Sequence, residues 1–199
     1  MRFYKFLSII LHPIVVPTIS VILYFILVPN GFNANQRMIV LGLIFISTYA
    51  IPLTILFLLK RLKLINSFKA NTIKERKLPI VLMIFLFYLL GNTIKEIHDL
   101  KDISLLFYAT TLGLLSIYIL FYFQLKTSIH LLSLGITTGF FFAINNVYSA
   151  NFMVVIISGL LLSGTLASAR LNLKAHTPTE VYLGFVLGFI CPITVYLFL

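Results

Sequence analysis

Hydrophobic residues run along this chain in long blocks and do not alternate. Apolar stretches cover residues 6–28, 38–59, 78–94, 103–123, 128–148, 151–168 and 178–199, with short polar or charged segments between them. Each block approaches the roughly 20 residues a helix needs to cross a hydrocarbon core. Helices and closed barrels alone satisfy the backbone in lipid. The pattern predicts an all-α integral membrane protein, a polytopic bundle of about six or seven transmembrane helices forming one domain over residues 1–199. The count turns on the first block, where His12-Pro13 and Pro17 predict a kink or an interfacial segment.

Composition points the same way. The chain is 60% hydrophobic and 10% charged, whereas soluble domains run near about 45–50% and about a quarter. Its short loops leave no room for a separate soluble domain. Arg2 and Lys5 precede an apolar run too long for a cleaved signal, and no small-residue cleavage site follows, so this run is read as the first membrane helix. The one cysteine, Cys191, lies inside the last apolar block and supports neither a disulfide nor a metal site.

The order of the blocks places the polar segments. Segments 60–77, 124–130 and 169–177 are each separated by two blocks, and an even number of crossings returns the chain to one side. Twelve of the 15 Lys and Arg fall on that side, against Arg37, Lys95 and Lys101 on the other. With Lys69, Arg76, Lys126, Arg170 and Lys174 set aside for chemistry, seven still face three. Basic loops mark the cytoplasmic face, which predicts a cell (inner) membrane protein with these loops in the cytoplasm. The net charge of +10 therefore reports topology and anionic headgroups. Nucleic-acid binding is not indicated, because the cations are spread over short loops.

Small residues mark close packing. Gly135 and Gly139 are four apart, as are Gly184 and Gly188, while Ser163 and Ala167 offer a small face between them. Such spacing lets helix backbones approach, so the last three spans are expected to form the tight part of the bundle. Asn145 and Asn146 read as a helix boundary or interhelical hydrogen bonds, and 95–102 as a solvated turn.

Ionisable residues are costly near lipid, and the sharpest group is Arg170, His176 and Glu180, set between two apolar blocks. Thr177-Pro178-Thr179-Glu180 reads as a helix start, with Thr177 as N-cap, Pro178 first in the helix and Glu180 as the capping-box acid. His176 then sits just ahead of a helix N-terminus, where an anion is favoured. Two further groups lie on the same side: Lys69 and Arg76, with six residues between them, and Lys126-Thr127-Ser128-Ile129-His130.

These three groups resemble the motifs of the phosphatidic-acid phosphatase type 2 superfamily, which shares its fold with vanadium haloperoxidases. The family carries K-x6-R-P, P-S-G-H and S-R-x5-H-x3-D in that order, followed by a glycine-spaced helix. Here Lys69 and Arg76 match the first, with the proline delayed to Pro79. Ser128 and His130 match the second, with Thr127 and Ile129 in place of proline and glycine. Arg170, His176 and Glu180 match the third, with Ala169 for serine and Glu180 for aspartate, leading into Gly184 and Gly188. The resemblance covers about residues 60–190, within a motif-bearing core of about 60–199, and identifies a divergent member.

The resemblance implies a lipid-phosphatase core acting without metal or other cofactor. His176 would attack phosphorus, Glu180 would orient it, and His130 would protonate the leaving group and then activate water. Lys69, Arg76, Arg170 and Ser128 would bind the phosphate. A cationic pocket and a helix N-terminus lower a histidine pKa, so activity should fall at acid pH. The implied substrate is a lipid (di)phosphate, such as phosphatidic acid, phosphatidylglycerol phosphate, a lipid A-type phosphate or undecaprenyl (di)phosphate, drawn from the surrounding membrane lipids. Two alternatives stand beside it: a catalytically weakened protein of the same fold that binds or transports lipid phosphates, and an unrelated transporter.

Overall fold

The computed structural model describes residues 2–68, 72–97, 100–145, 147–148 and 151–198. These residues form an all-helical bundle: α1 (Arg2–Ile10), α2 (Val16–Leu27), α3 (Ala34–Phe45), α4 (Ile51–Arg61), α5 (Ile73–Lys95), α6 (Lys101–Leu120), α7 (Ile129–Ile144), α8 (Met153–Asn172) and α9 (Pro178–Phe198). Among the described residues, five stretches are long and apolar enough to cross a membrane: Ala34–Arg61, Ile73–Lys95, Lys101–Phe123, Met153–Asn172 and Pro178–Phe198. Val16–Leu27 and Ile129–Ile144 are shorter apolar helices.

The expected first block, 6–28, divides into α1 and α2. Proline lacks the N–H that a helix interior needs, and Pro13 falls within the break while Pro17 follows directly after it. The His12 carbonyl takes the amides of Val15 (2.8 Å) and Val16 (3.1 Å) instead, and Pro17 lies in the first turn of α2. Pro52 has a milder effect. It opens α4 directly after a π-helical turn, Ile46–Ala50, that joins α3 to α4 without interrupting the run. A wider turn accommodates the missing donor, and its buried Thr48 bonds Thr18 Oγ1 of α2 at 3.0 Å.

Helices α6 and α7 form the inside. Phe107, Phe121, Phe140 and Phe141 are almost fully enclosed, with Ile103, Leu106 and Ile117 beside them. The glycine spacing has the expected result: Gly135 and Gly139 of α7 meet Phe185, Gly188 and Phe189 of α9, and Gly184 and Gly188 meet Ser128, Leu131, Leu132 and Ile136 in return. A Cβ on any of the four would approach backbone closer than 3 Å. The N-terminal ends of α7 and α9 are thereby locked side by side.

The bundle is polar at both ends. At one, Tyr24 of α2 and Tyr148 beyond α7 both donate hydroxyls to Asp102 Oδ2. Asp102 is thus held inside the first turn of α6 and is not part of a solvated turn. Asn145 Oδ1 accepts the Phe152 amide there at 3.3 Å; Asn146 lies outside the described residues. The other end holds the segments that carry the candidate chemistry.

Candidate functional site

Three helices deliver the chain to this end in the same way. At the end of α4 the amide of Leu64 bonds the Leu59 carbonyl (2.9 Å), at α6 Leu125 bonds Leu120 (3.2 Å), and at α8 Ala175 bonds Arg170 (3.1 Å). Each is a Schellman closure, which needs one left-handed residue. Those residues are Lys63 (φ 59°), Gln124 (φ 58°) and Lys174 (φ 50°), none of them glycine. The last closure sets Arg170 in the final turn of α8 and brings the chain to His176 within six residues.

Helix α9 begins as its sequence predicts. The Glu180 amide donates to Thr177 Oγ1 (3.4 Å) and the Thr177 amide donates to Glu180 Oε2 (3.2 Å). Glu180 Oε2 also lies 2.9 Å from His176 Nδ1, and the Lys126 carbonyl oxygen lies 3.0 Å from the same nitrogen. Both partners are acceptors, so Nδ1 carries the proton and donates to them. The Nε2 lone pair is left for another purpose. The Ser128 amide donates to the Glu180 carbonyl (3.0 Å), stitching the starts of α7 and α9 together.

His176 is 9% exposed. Burial pushes its pKa below the ordinary 6.5, to about 4; the charges of Arg170 and Arg76 act in the same direction, and Glu180 opposes them. The imidazole is therefore neutral at pH 7.

The expected site residues that fall among the described residues come together. Arg76, half-buried in the first turn of α5, lies where it feels Glu180 and Arg170. His130 in the first turn of α7 lies within the electrostatic reach of Arg170 and His176. Ser128 is fully buried at the N-cap of α7, and its side chain makes no cap hydrogen bond. Lys69 lies outside the described residues. A groove of about 440 Å³ opens beside His176, lined by Lys126, Leu171, Lys174 and Glu180 among others.

Several polar hydrogens here are not used by the protein. Arg170 Nε, Ser128 Oγ and Thr127 Oγ1 are buried with no hydrogen-bond partner. Such groups cost free energy unless something pairs with them. Arg170 Nε–H can only donate and each hydroxyl has a hydrogen to donate, so an oxyanion would supply an acceptor to all three. Among the described residues no group of three His, Cys, Asp or Glu side chains is placed to hold a metal ion.

Sequence reasoning passed over one residue at this end. His12, read as a kink marker, packs its ring 5.1 Å from that of His130 at an interplanar angle of 80°. Its signal was positional: the first block starts on the same side as the three loops, which puts a histidine six residues into it near that face.

The chain matches no model of a known protein family, no curated protein and no solved structure.

Proposed function

We propose that this chain is a membrane lipid-phosphate phosphohydrolase working through a phosphohistidine on His176. One observation carries the reading: His176 Nδ1 donates to both Glu180 Oε2 and the Lys126 carbonyl, so a neutral ring offers Nε2 as nucleophile inside a cluster of unspent donors. An anchored, neutral imidazole is what attack on phosphorus requires.

In this reading Nε2 forms a bond to phosphorus as the bond from phosphorus to the lipid oxygen breaks. His130, entering the step as the imidazolium with the anionic substrate bound, gives its proton to the departing alkoxide and becomes neutral. Water then cleaves the P–N bond, its proton passes to His130, and inorganic phosphate leaves with His176 restored. Glu180 fixes the Nδ1–H tautomer and stabilises positive charge as it forms on the ring. Arg76, Arg170, Lys69 and Ser128 hold the phosphoryl oxygens, where the negative charge of the transition state sits. A lipid phosphate or diphosphate suits a groove at the polar end of an apolar bundle, because the acyl or prenyl tail stays in lipid. We count α2 and α7 with the five long helices as seven crossings of the lipid-phosphatase type, with the site end in the cytoplasm by its basic charge.

The test is phosphate release by the purified chain in mixed micelles of phosphatidic acid or a polyprenyl diphosphate. Release that is lost in both His176→Ala and His130→Ala, with an acid-labile phosphoprotein trapped from the parent chain, supports the enzyme. Thr127 and Ile129, in the positions of proline and glycine, favour the alternative of a lipid-phosphate binding or transport protein. That alternative predicts binding without release. An absence of both overturns the proposal and leaves the unrelated transporter.

A further inference from the structure

We infer that His12 is a third histidine of this site and donates its Nε2–H to the same oxyanion. The inference rests on reading the site as a phosphate site and adds a ligand from the N-terminal segment, which precedes all three motif groups.

The tautomer follows from the turn. The Ile14 amide donates to His12 Nδ1 at 3.3 Å, so Nδ1 holds a lone pair and the neutral ring carries its proton on Nε2. Among the described residues that Nε2–H has no acceptor. The ring is not loosely held. Leu11 and Val16, on either side of the break, pack with Leu131, Leu134, Leu166 and Val181, which seats the turn on α7, α8 and α9 together. The break that Pro13 and Pro17 impose thus presents His12 edge-to-face against His130.

The surroundings define the ligand. The charge of Arg170 reaches His12, His130 and His176 alike. One helical turn before His12, the hydroxyl of Ser8 is buried without a partner, as are Ser128 Oγ, Thr127 Oγ1 and Arg170 Nε. The acid of this cluster, Glu180, is already engaged by His176 and the Thr177 amide. Arg170 Nε–H and the His12 Nε2–H can only donate, and a tetrahedral oxyanion supplies the acceptor that they and the unpaired hydroxyls lack.

Substitution separates this role from a purely local one. Asparagine at position 12 places its Oδ1 where Nδ1 was, so it keeps the acceptor for the Ile14 amide as an Asx turn does, but it has no donor at the Nε2 position. Glutamine reaches that position with its amide N–H. The probe is orthovanadate, titrated calorimetrically into the full chain in detergent, with thermal unfolding followed in parallel. His12→Asn and His12→Ala are expected to weaken binding about tenfold or more, the effect of losing a hydrogen bond to a charged group, while His12→Gln stays within about threefold of the parent. Parental affinity in His12→Asn assigns the ring to its own turn and overturns the inference, leaving the phosphate site intact. His12→Gln as weak as His12→Ala overturns the donor role. Failure of the parent chain to bind orthovanadate removes the phosphate site and the inference together.

Discussion

Gly184→Ala tests whether the contact between α7 and α9 sets the geometry of the site. A Cβ at Gly184 would lie 2.6 Å from the Ser128 carbonyl oxygen and 3.4 Å from Leu131 Cβ. Ordinary contact begins near 3.4 Å, so the start of α9 must retreat from α7 by about 0.8 Å. The obstacle is backbone and cannot rotate away. Overpacking of this kind costs about 1–3 kcal/mol, and the better helix propensity of alanine offsets about 0.5–1 kcal/mol of it. A net loss of about 0–2.5 kcal/mol remains, by difference. The functional cost is larger. The retreat strains the bond from the Ser128 amide to the Glu180 carbonyl and carries His176 away from the Lys126 carbonyl. Misplacing a catalytic group by close to 1 Å lowers the rate by up to about a hundredfold. Gly164→Ala is the control, because nothing lies within 4 Å of its Cβ position; it should gain about 0.5–1 kcal/mol from propensity alone and turn over normally. Thermal unfolding in detergent and phosphate release from phosphatidic acid read both effects. The reasoning fails if the two alanine variants melt and turn over alike.

Three further outcomes follow from the site. The His176 pKa is pushed from 6.5 to about 4, so the folded chain binds fewer protons than the unfolded chain between those values. The contribution of His176 to stability should be full above 6.5 and disappear as pH falls toward 4, and the acid limb of kcat/KM should have its midpoint near 4; a midpoint at or above the ordinary histidine value contradicts the burial argument. Ser128→Ala removes a buried hydroxyl that has no partner, so it should leave unfolding unchanged or raise stability by about 1 kcal/mol while weakening orthovanadate binding; lower stability in calorimetry would mean the hydroxyl is satisfied in the free protein. Gln124→Gly relieves a left-handed residue at φ 58° and should stabilise by about 0.5–1 kcal/mol, seen as a higher melting temperature with turnover unchanged.

The sequence by itself determined whatever depends on near neighbours along the chain. Block hydropathy specified membrane helices, because each span must satisfy its own backbone. The Thr177–Glu180 capping box is closed by bonds between residues three apart, so local spelling was enough to predict it. Glycines four apart announced the close approach of α7 and α9, and counting crossings put the three polar segments on one face. Tertiary structure decided the rest. That His176 Nδ1 has the Lys126 carbonyl as a second acceptor, 50 residues away in the chain, depends on how α7 and α9 lock, and no spacing rule encodes it. The pairing of His12 with His130 depends on where a proline break comes to rest against three other helices. The left-handed residues at Lys63, Gln124 and Lys174 gave no glycine signal, because the closure of each helix end, and not the residue type, holds them there. Periodicity settles which face of a helix is apolar. Which polar atoms on different helices meet is settled only when the apolar faces have packed and fixed the distances between them.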